Sequence, residues 1–210
     1  MAACGGDESP ALETGPLPTA PDDPSAQTFS REGYSFSHPP DWEWAGESPS
    51  GGSAGASSVS LVMLAPGTDS ESLEIEPELL RVEVSRVPPL IDNAQWDEGV
   101  DPQEHLDEVA DVPRRVTAEN LDEFADWRVP EFMEAYENVR EGPFATTVDG
   151  LPALYLVVEG TNGNGDEIVS QSVLVFDGET EYMIDCEYSP AKEDEMRPGC
   201  AQVFATFRVD

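Results

Sequence analysis

FATTVDGLPALYLVVEGTNGNGDEIVSQSVLVFDGETEYMIDCEY, residues 144–188, contains four extended runs that are separated by glycine-containing turns. The runs are rich in β-branched and aromatic residues, which favour strands. Glycine adopts a positive φ without strain, as tight antiparallel turns require. We therefore predict four antiparallel strands in series, a β-meander. The predicted strands are 144–148, 153–159, 167–176 and 181–187, and the turns are Asp149-Gly150, Asn162-Gly163-Asn164-Gly165 and Asp177-Gly178.

Elements on both sides of the meander complete an α+β pattern. Strands upstream alternate between apolar and polar residues or are continuously apolar, and the helices carry apolar residues at spacings of three and four. Pro130 is expected to kink or split the helix that contains it. The pattern predicts an antiparallel sheet meander covered by helices in one domain, residues 29–210. The further strands are predicted at 34–38, 59–64 and 79–87, and the helices at 92–111, from an N-cap at Thr117 onward, and at 199–207.

The segment 1–28 has a different composition from the rest of the chain. Residues 5–27 contain five prolines and five acidic residues among small polar ones. Such a composition buries little apolar surface and is typical of an extended, semi-rigid spacer. We predict that residues 1–28 form a disordered tether in front of the folded domain.

The first seven residues, MAACGGD, resemble the lipobox of bacterial lipoproteins. In such a lipobox, cleavage before the cysteine makes it the first residue, and it then receives lipid, so the resemblance implies that Cys4 is lipidated. Two acyl chains anchor a protein stably without a spanning helix. Met1 stands where the box has leucine, and we expect the basic and apolar parts of the signal to be encoded upstream. A chance cysteine in a cytosolic protein is the alternative.

Composition excludes several classes of partner. The chain has 210 residues with 10 Lys and Arg against 44 Asp and Glu, which gives a net charge of −34. An excess of that size repels phosphate backbones and anionic headgroups, so we expect no nucleic-acid binding. Lys192 is the only lysine, and we interpret the acidic, lysine-poor composition as adaptation to a saline habitat or as the effect of a high-GC genome. No apolar run approaches the ~18 residues that a bilayer span needs.

Cysteine counting predicts a disulfide. With Cys4 assigned to lipid, Cys186 and Cys200 remain as a pair, one on the last predicted strand and one on the last predicted helix. Disulfides persist outside a reducing cytosol, so this pair and the lipobox indicate the same compartment. Two buried free thiols are the alternative. No C-x-x-C motif occurs, and we expect no metal or other cofactor.

Two alternative functions have weak motifs. Residues 51–55, GGSAG, match the nucleophile elbow of hydrolases, but they lie in Gly/Ser-rich sequence without a following helix pattern. Asn162, Asn164 and Asp166 alternate with glycines and are weak calcium candidates, although a hairpin turn is the better explanation of the same residues. An envelope hydrolase with an acidic site and a weak calcium-binding module therefore stand as alternatives.

Three phrases in the predicted domain resemble a known group of proteins. They are GYSFSHPPDWE at 33–43, TTVDGLPA at 146–153 and CAQVFATF at 200–207. Each resembles a phrase at the corresponding place in PsbP-like lipoproteins, which include the actinobacterial LpqN-like family. The resemblance implies an α+β sandwich and binding or assembly roles, and it supplies no catalytic residues.

These observations together predict a lipid-anchored extracytoplasmic binding or accessory protein of the bacterial cell envelope that is not an enzyme. Its expected partners are the bilayer, through the lipid on Cys4, and either another envelope protein or a small apolar ligand. Of the four tryptophans, we expect Trp42 and Trp127 to lie in the core.

The net charge predicts a salt dependence of stability. Repulsion among carboxylates is stronger in the compact state than in the unfolded chain, and salt screens it. We expect the thermal midpoint at pH 7 to rise as NaCl increases from 0.01 to 1 M, where the Debye length falls from about 30 to about 3 Å. Thermal unfolding across this series measures the effect, and a midpoint that falls with salt would show that local attractive ion pairs dominate.

Overall fold

A computed structural model describes residues 12–31, 33–49, 59–66, 78–87 and 112–210. The described part contains eleven strands and two α-helices, with a short 3-10 helix at Pro190–Lys192 in front of the second. The strands are β1 (Glu13–Thr14), β2 (Gln27–Arg31), β3 (Tyr34–His38), β4 (Glu43–Pro49), β5 (Val59–Leu64), β6 (Leu79–Arg86), β7 (Asn138–Val148), β8 (Leu151–Thr161), β9 (Glu167–Asp177), β10 (Thr180–Tyr188) and β11 (Arg208–Val209). The helices are α1 (Leu121–Met133) and α2 (Glu193–Thr206).

The larger sheet has eight strands in the order β1-β7-β8-β9-β10-β6-β5-β4. Its neighbours are antiparallel except that β1 pairs parallel to β7. Strands β7 to β10 follow one another in both sequence and space, which confirms the predicted meander and the α+β fold class. A second, three-stranded sheet has the order β11-β3-β2.

The two faces of the larger sheet are covered by different elements. Side chains alternate between faces along a strand, so Val173 and Leu174 of β9 belong to different hydrophobic clusters. The cluster that contains Val173 packs beneath α2 and the smaller sheet, through Phe204 and Phe36 among others. The cluster that contains Leu174 packs beneath α1, through Phe124. This two-sided burial explains why β9 is almost continuously apolar in sequence.

Helix α1 begins later than the sequence indicates, and it continues through Pro130. Thr117 is not the residue before the helix, because Asn120 occupies that place and its carbonyl accepts the N–H of Phe124 at 3.0 Å. The Asn120 side chain accepts the N–H of Thr117 at 2.7 Å, which organises the preceding turn. Pro130 lies inside the helix without splitting it. The predicted helix at 92–111 lies outside the described residues.

Helix α2 begins six residues before the predicted start, and both Pro198 and Gly199 lie inside it. The glycine is required by packing, because a Cβ built on Gly199 would lie 2.5 Å from Cζ2 of Trp42. Trp42 is 6% exposed and belongs to the core, as predicted. Trp127 is partly buried, with its ring centroid 5.5 Å from that of Phe124.

The folded part of the chain begins earlier than Phe29. Strand β1 pairs Glu13 with Phe144 of β7, and the N–H of Gly15 donates to the carbonyl of Ala145 at 3.1 Å. Leu12 and Leu17 pack against the cluster beneath α1 and the cluster beneath α2, respectively. Residues 12–28, predicted as part of a disordered tether, are therefore extended but attached to the domain. Composition did not predict this attachment, because two leucines and one short strand are enough to attach a segment to a sheet edge.

Cys186 of β10 and Cys200 of α2 form a disulfide in the structure, with their Cα atoms 6.0 Å apart. Both cysteines are completely buried. The bond joins α2 to the strand beneath it across a sequence separation of 14 residues. It therefore fixes the helix that covers one face of the sheet.

Replacing both Cys186 and Cys200 with serine should lower the free energy of unfolding by about 3 kcal/mol. Reducing the disulfide in the unfolded protein and then refolding the protein in reductant should have the same effect. The reason is that a cross-link closing a loop of this length restricts the unfolded chain. Urea unfolding of the oxidised and reduced protein measures the difference. Equal midpoints in the two forms would contradict the prediction.

Candidate functional site

A groove beside α2 combines an apolar floor with a charged rim. We call it the α2 groove. Its volume is about 380 Å³, within the range of small-ligand pockets. It lies where the N-terminal segment, the β3–β4 connection, the residues after β5 and α2 meet.

The floor of the α2 groove is apolar and rigid. Trp42 and Met196 line it, and they are 6% and 1% exposed. The position of Trp42 follows from the local sequence, because Pro39 and Pro40 end β3 and the Trp42 N–H donates to the carbonyl of Pro39 at 3.2 Å. Gly199 lets α2 approach the Trp42 ring closely. The floor thus depends on the contact between the β3–β4 turn and one glycine of α2.

The walls of the α2 groove are poor in hydrogen-bond donors. Four of its twelve lining residues are prolines, which have no backbone N–H. They come from four different segments, so the feature is created by the fold rather than by one proline-rich run. The prolines are Pro21, Pro39, Pro66 and Pro198.

The rim of the α2 groove carries three carboxylates, those of Asp23, Asp41 and Glu195, and its described lining contains no Lys, Arg or His. The Asp23 carboxylate accepts the Ser25 hydroxyl at 2.6 Å and the Ser25 N–H at 2.8 Å. These bonds lower the pKa of Asp23, so it stays ionised. The Glu195 carboxylate accepts Nζ of Lys192 at 2.8 Å in an exposed pair. The rim therefore presents negative charge to whatever enters the groove.

A second polar feature lies on the sheet face beneath α1. We call it the Asp185 cluster; its centre is Oδ1 of Asp185, which accepts the hydroxyls of Ser170 and Ser172. All three residues are buried, at 3% exposure or less. The neighbouring Tyr136 is held neutral because burial raises its pKa, with the charge of Asp185 adding to the effect. The hydrogen bonds from the two hydroxyls replace the water that the Asp185 carboxylate loses on burial.

Glu187 is the titratable member of this neighbourhood. Burial, followed by the nearby charge of Asp185, raises the pKa of Glu187 to about 7, while Arg81 acts in the opposite direction. A group with that pKa changes charge near neutral pH, where ordinary glutamates stay ionised. Asp185, Ser170 and Ser172 are buried and bonded to one another, so we assign the Asp185 cluster a structural role.

Charged pairs attach both helices to the sheet. The Arg128 guanidinium of α1 donates to the buried Glu181 carboxylate of β10 at 2.9 Å. On the opposite face, Glu193 of α2 accepts from Arg140 of β7 at 3.0 Å, and Arg197 of α2 donates to Glu141 of β7 at 3.0 Å. Three of the ten basic residues are thus used to hold helices in place.

Among the sequence-predicted site residues, the structure joins Cys186 to Cys200 but forms no common site from the others. Cys4 lies outside the described residues, as do Ser53 of the elbow-like motif and His105, the histidine that would have to serve it. Cys186 and Cys200 lie beneath α2 and border the groove only through the neighbouring Gly199. The α2 groove itself carries none of the predicted site residues.

The calcium candidates form the β8–β9 turn. Oδ1 of Asn162 accepts the N–H of Asn164 at 3.0 Å and that of Asp166 at 2.9 Å. The side chain thereby stabilises the turn, as asparagine commonly does. Among the described residues, no group of three or more His, Cys, Asp or Glu side chains is placed to hold a metal ion.

Sequence reasoning missed the groove and the Asp185 cluster for different reasons. The groove brings together residues from four distant segments, and no short sequence pattern predicts that they lie close together. The cluster did have a signal, because Ser170 and Ser172 lie two residues apart in the largely apolar strand β9 and therefore on the same face. Polar residues that recur with period two on a buried strand indicate a satisfied internal network.

Glu187→Gln should flatten the dependence of stability on pH. The folded state keeps the Glu187 proton up to a pKa of about 7, whereas the unfolded chain releases it near 4.5, so stability is lost as pH rises from 4.5 through 7. The loss is up to about 3 kcal/mol. Glutamine does not ionise, so Glu187→Gln should not show this loss of stability.

Urea unfolding of the wild type and of Glu187→Gln between pH 5 and pH 8 measures this effect. Glu123→Gln, which removes the same charge from the exposed face of α1, is the matched control and should retain the wild-type slope. Identical slopes for Glu187→Gln and the wild type would refute the assignment.

Comparison with known proteins places no family name on the chain. No protein-family model and no curated protein matches it. Solved structures similar to it include PsbP from Synechocystis sp. PCC 6803, with 16% identity, coverage of 100% of this chain and 99% of that chain, and a TM-score of 0.48. LpqN of Mycobacterium tuberculosis, described as involved in cell envelope biogenesis, has 13% identity, coverage of 90% and 86%, and a TM-score of 0.46.

A protein from Bacteroides thetaiotaomicron VPI-5482 is also similar, with 12% identity, coverage of 89% of this chain and a TM-score of 0.44. This chain spans about half of that protein, 49% of its length. No residue role is transferred from these structures. The described helices include none with the length and apolarity that a membrane span needs.

Proposed function

We propose that this protein is a lipid-anchored extracytoplasmic binding or accessory protein of a bacterial cell envelope, without enzymatic activity, and that its binding surface is the α2 groove. The proposal includes membership of the PsbP-like lipoproteins, on the strength of the three sequence phrases. The bilayer is one partner, through the lipid on Cys4. The second partner is an envelope protein or a small apolar ligand.

The observation that carries the proposal is the buried Cys186–Cys200 disulfide. Both cysteines are completely buried and join α2 to β10. Such structural disulfides form and persist in oxidising compartments and are rare in the cytosol. A protein that depends on this bond to hold α2 is therefore suited to a location outside the cytoplasm.

The attachment of residues 12–28 to the domain shortens the part of the chain that can act as a tether. Between Cys4 and Leu12, the first described residue, lie seven residues, which reach about 25 Å at most. The spacer predicted from composition was longer, because it included residues that the structure attaches to the domain. A domain anchored through Cys4 would thus lie close to the membrane, with the β1–β7 edge toward it.

The binding role rests on the chemistry of the groove. An apolar floor formed by Trp42 and Met196 provides area to bury, and the rim carboxylates provide orientation. The described lining has no His, Ser, Thr or Cys that would act as a nucleophile or base beside these carboxylates. Binding without chemistry is the function that this set of side chains supports best.

Cys4→Ser tests the anchor. The gene, expressed with its upstream sequence in a bacterial host, should incorporate labelled palmitate and fractionate with membranes, whereas Cys4→Ser should do neither. Ser9→Ala, a substitution five residues further along, should behave as wild type. An in-frame stop codon directly upstream of Met1, or a wild-type protein that takes up no label, would refute the lipoprotein assignment.

A further inference from the structure

We infer that the α2 groove binds an extended segment of another envelope protein that places an arginine or lysine side chain between apolar residues. This inference deepens the proposed function and rests on it, because it identifies the kind of partner that the groove receives. It selects a cationic segment over a neutral apolar ligand.

The first argument is the imbalance between hydrogen-bond acceptors and donors. Carboxylates accept hydrogen bonds and donate none when ionised, and the rim has three of them. The four wall prolines remove backbone donors from four segments at once. The side-chain donors of the described lining, the Gln202 amide and the Trp42 indole N–H, belong to residues that are only 4% and 6% exposed. A ligand that bonds to the rim carboxylates therefore brings its own donors, which guanidinium and ammonium groups supply in the greatest number.

The second argument is the arrangement of charge around the apolar floor. Asp41 and Glu195 are exposed and lie on different elements, the β3–β4 connection and α2. Asp23 faces the same space from the N-terminal segment, and its bonds to Ser25 hold its carboxylate in place. A cation seated over the floor meets negative charge from three sides, while its aliphatic stem lies against Trp42 and Met196. Lys192 pairs with Glu195 and Ser25 bonds to Asp23, but the rim keeps a net negative charge that a neutral apolar ligand would not compensate.

The third argument is against residues 67–77 of this chain as the occupant. Residues 67–77, which follow the groove residue Pro66, have the sequence GTDSESLEIEP. This segment carries four acidic and no basic residues. Its insertion would place like charges against the rim, which is unfavourable. Charge complementarity therefore points to another molecule.

The size of the groove limits the contact to a short segment. A volume of about 380 Å³ accommodates two or three side chains rather than a folded domain. The expected affinity is accordingly modest, and an equilibrium measurement that detects weak binding is needed. An extended peptide with one arginine flanked by leucine and proline is a suitable probe.

The experiment uses the purified 210-residue chain and the peptide acetyl-Leu-Pro-Arg-Leu-Pro-amide, with a second peptide in which neutral citrulline replaces arginine. Titration is followed by the indole N–H signal of Trp42 in ¹⁵N-labelled protein, assigned from the spectrum of Trp42→Phe. We expect the arginine peptide to shift this signal and to bind at least tenfold more tightly than the citrulline peptide.

Matched variants separate the rim from the general acidity of the protein. The double variant Asp41→Asn with Glu195→Gln should weaken binding of the arginine peptide by about threefold to tenfold. Asp194→Asn removes a carboxylate from an exposed position of α2 that does not line the groove, and it should leave the affinity unchanged. Citrulline-peptide binding should respond to neither variant.

Three results would overturn the inference. Equal affinities of the arginine and citrulline peptides would indicate a neutral apolar occupant. Equal effects of Asp194→Asn and the groove variants would show that only the overall field attracts the peptide. Binding that appears only after deletion of residues 67–77 would identify this chain as the occupant. None of these results bears on palmitate labelling at Cys4, so failure here is distinct from failure of the proposed anchoring.

Discussion

Burial of β9 on both faces is the constraint on which the rest of the structure depends. From Ile168 to Phe176 its residues are 5% exposed or less, so every side chain needs either apolar neighbours or a hydrogen-bond partner. The pairings with β8 and β10 satisfy the backbone, and α1 and α2 each cover one face. Where β9 carries Ser170 and Ser172, the partner is the Asp185 carboxylate, because a buried carboxylate without donors would be strongly unfavourable.

The position of α2 follows from this constraint and in turn creates the groove. The Cys186–Cys200 disulfide fixes the helix to β10, and Gly199 brings it into contact with Trp42. The N-terminal segment, attached through β1 and Leu17, then supplies the last wall with Pro21. The binding surface is thus a consequence of how the covering elements meet at one end of the sheet, and loss of any one of them would open it.

The extreme acidity has different roles inside and outside the molecule. Several of the few basic residues hold elements together, as Arg128 of α1 does with Glu181 of β10 and Arg197 of α2 with Glu141 of β7. Bases committed in this way are less available to neutralise the surface. The described lining of the α2 groove contains three carboxylates and no Lys, Arg or His, although Lys192 pairs with Glu195 at the rim. The same excess of negative charge that repels nucleic acids therefore favours a cationic partner.

Local signals were sufficient to predict the meander, because strand composition and the glycine turns at 149–150, 162–165 and 177–178 do not depend on distant residues. It also paired Cys186 with Cys200, once Cys4 was set aside. Two other features depend on contacts between distant residues. Pro198 and Gly199 indicate a break in the helix, but the contact of Gly199 with Trp42 overrides it and α2 begins earlier. The attachment of residues 12–28 depends on an unpaired strand edge that is distant in sequence. The groove belongs to the same class. Its residues come from segments far apart in the chain, and their meeting depends on packing that no local pattern encodes.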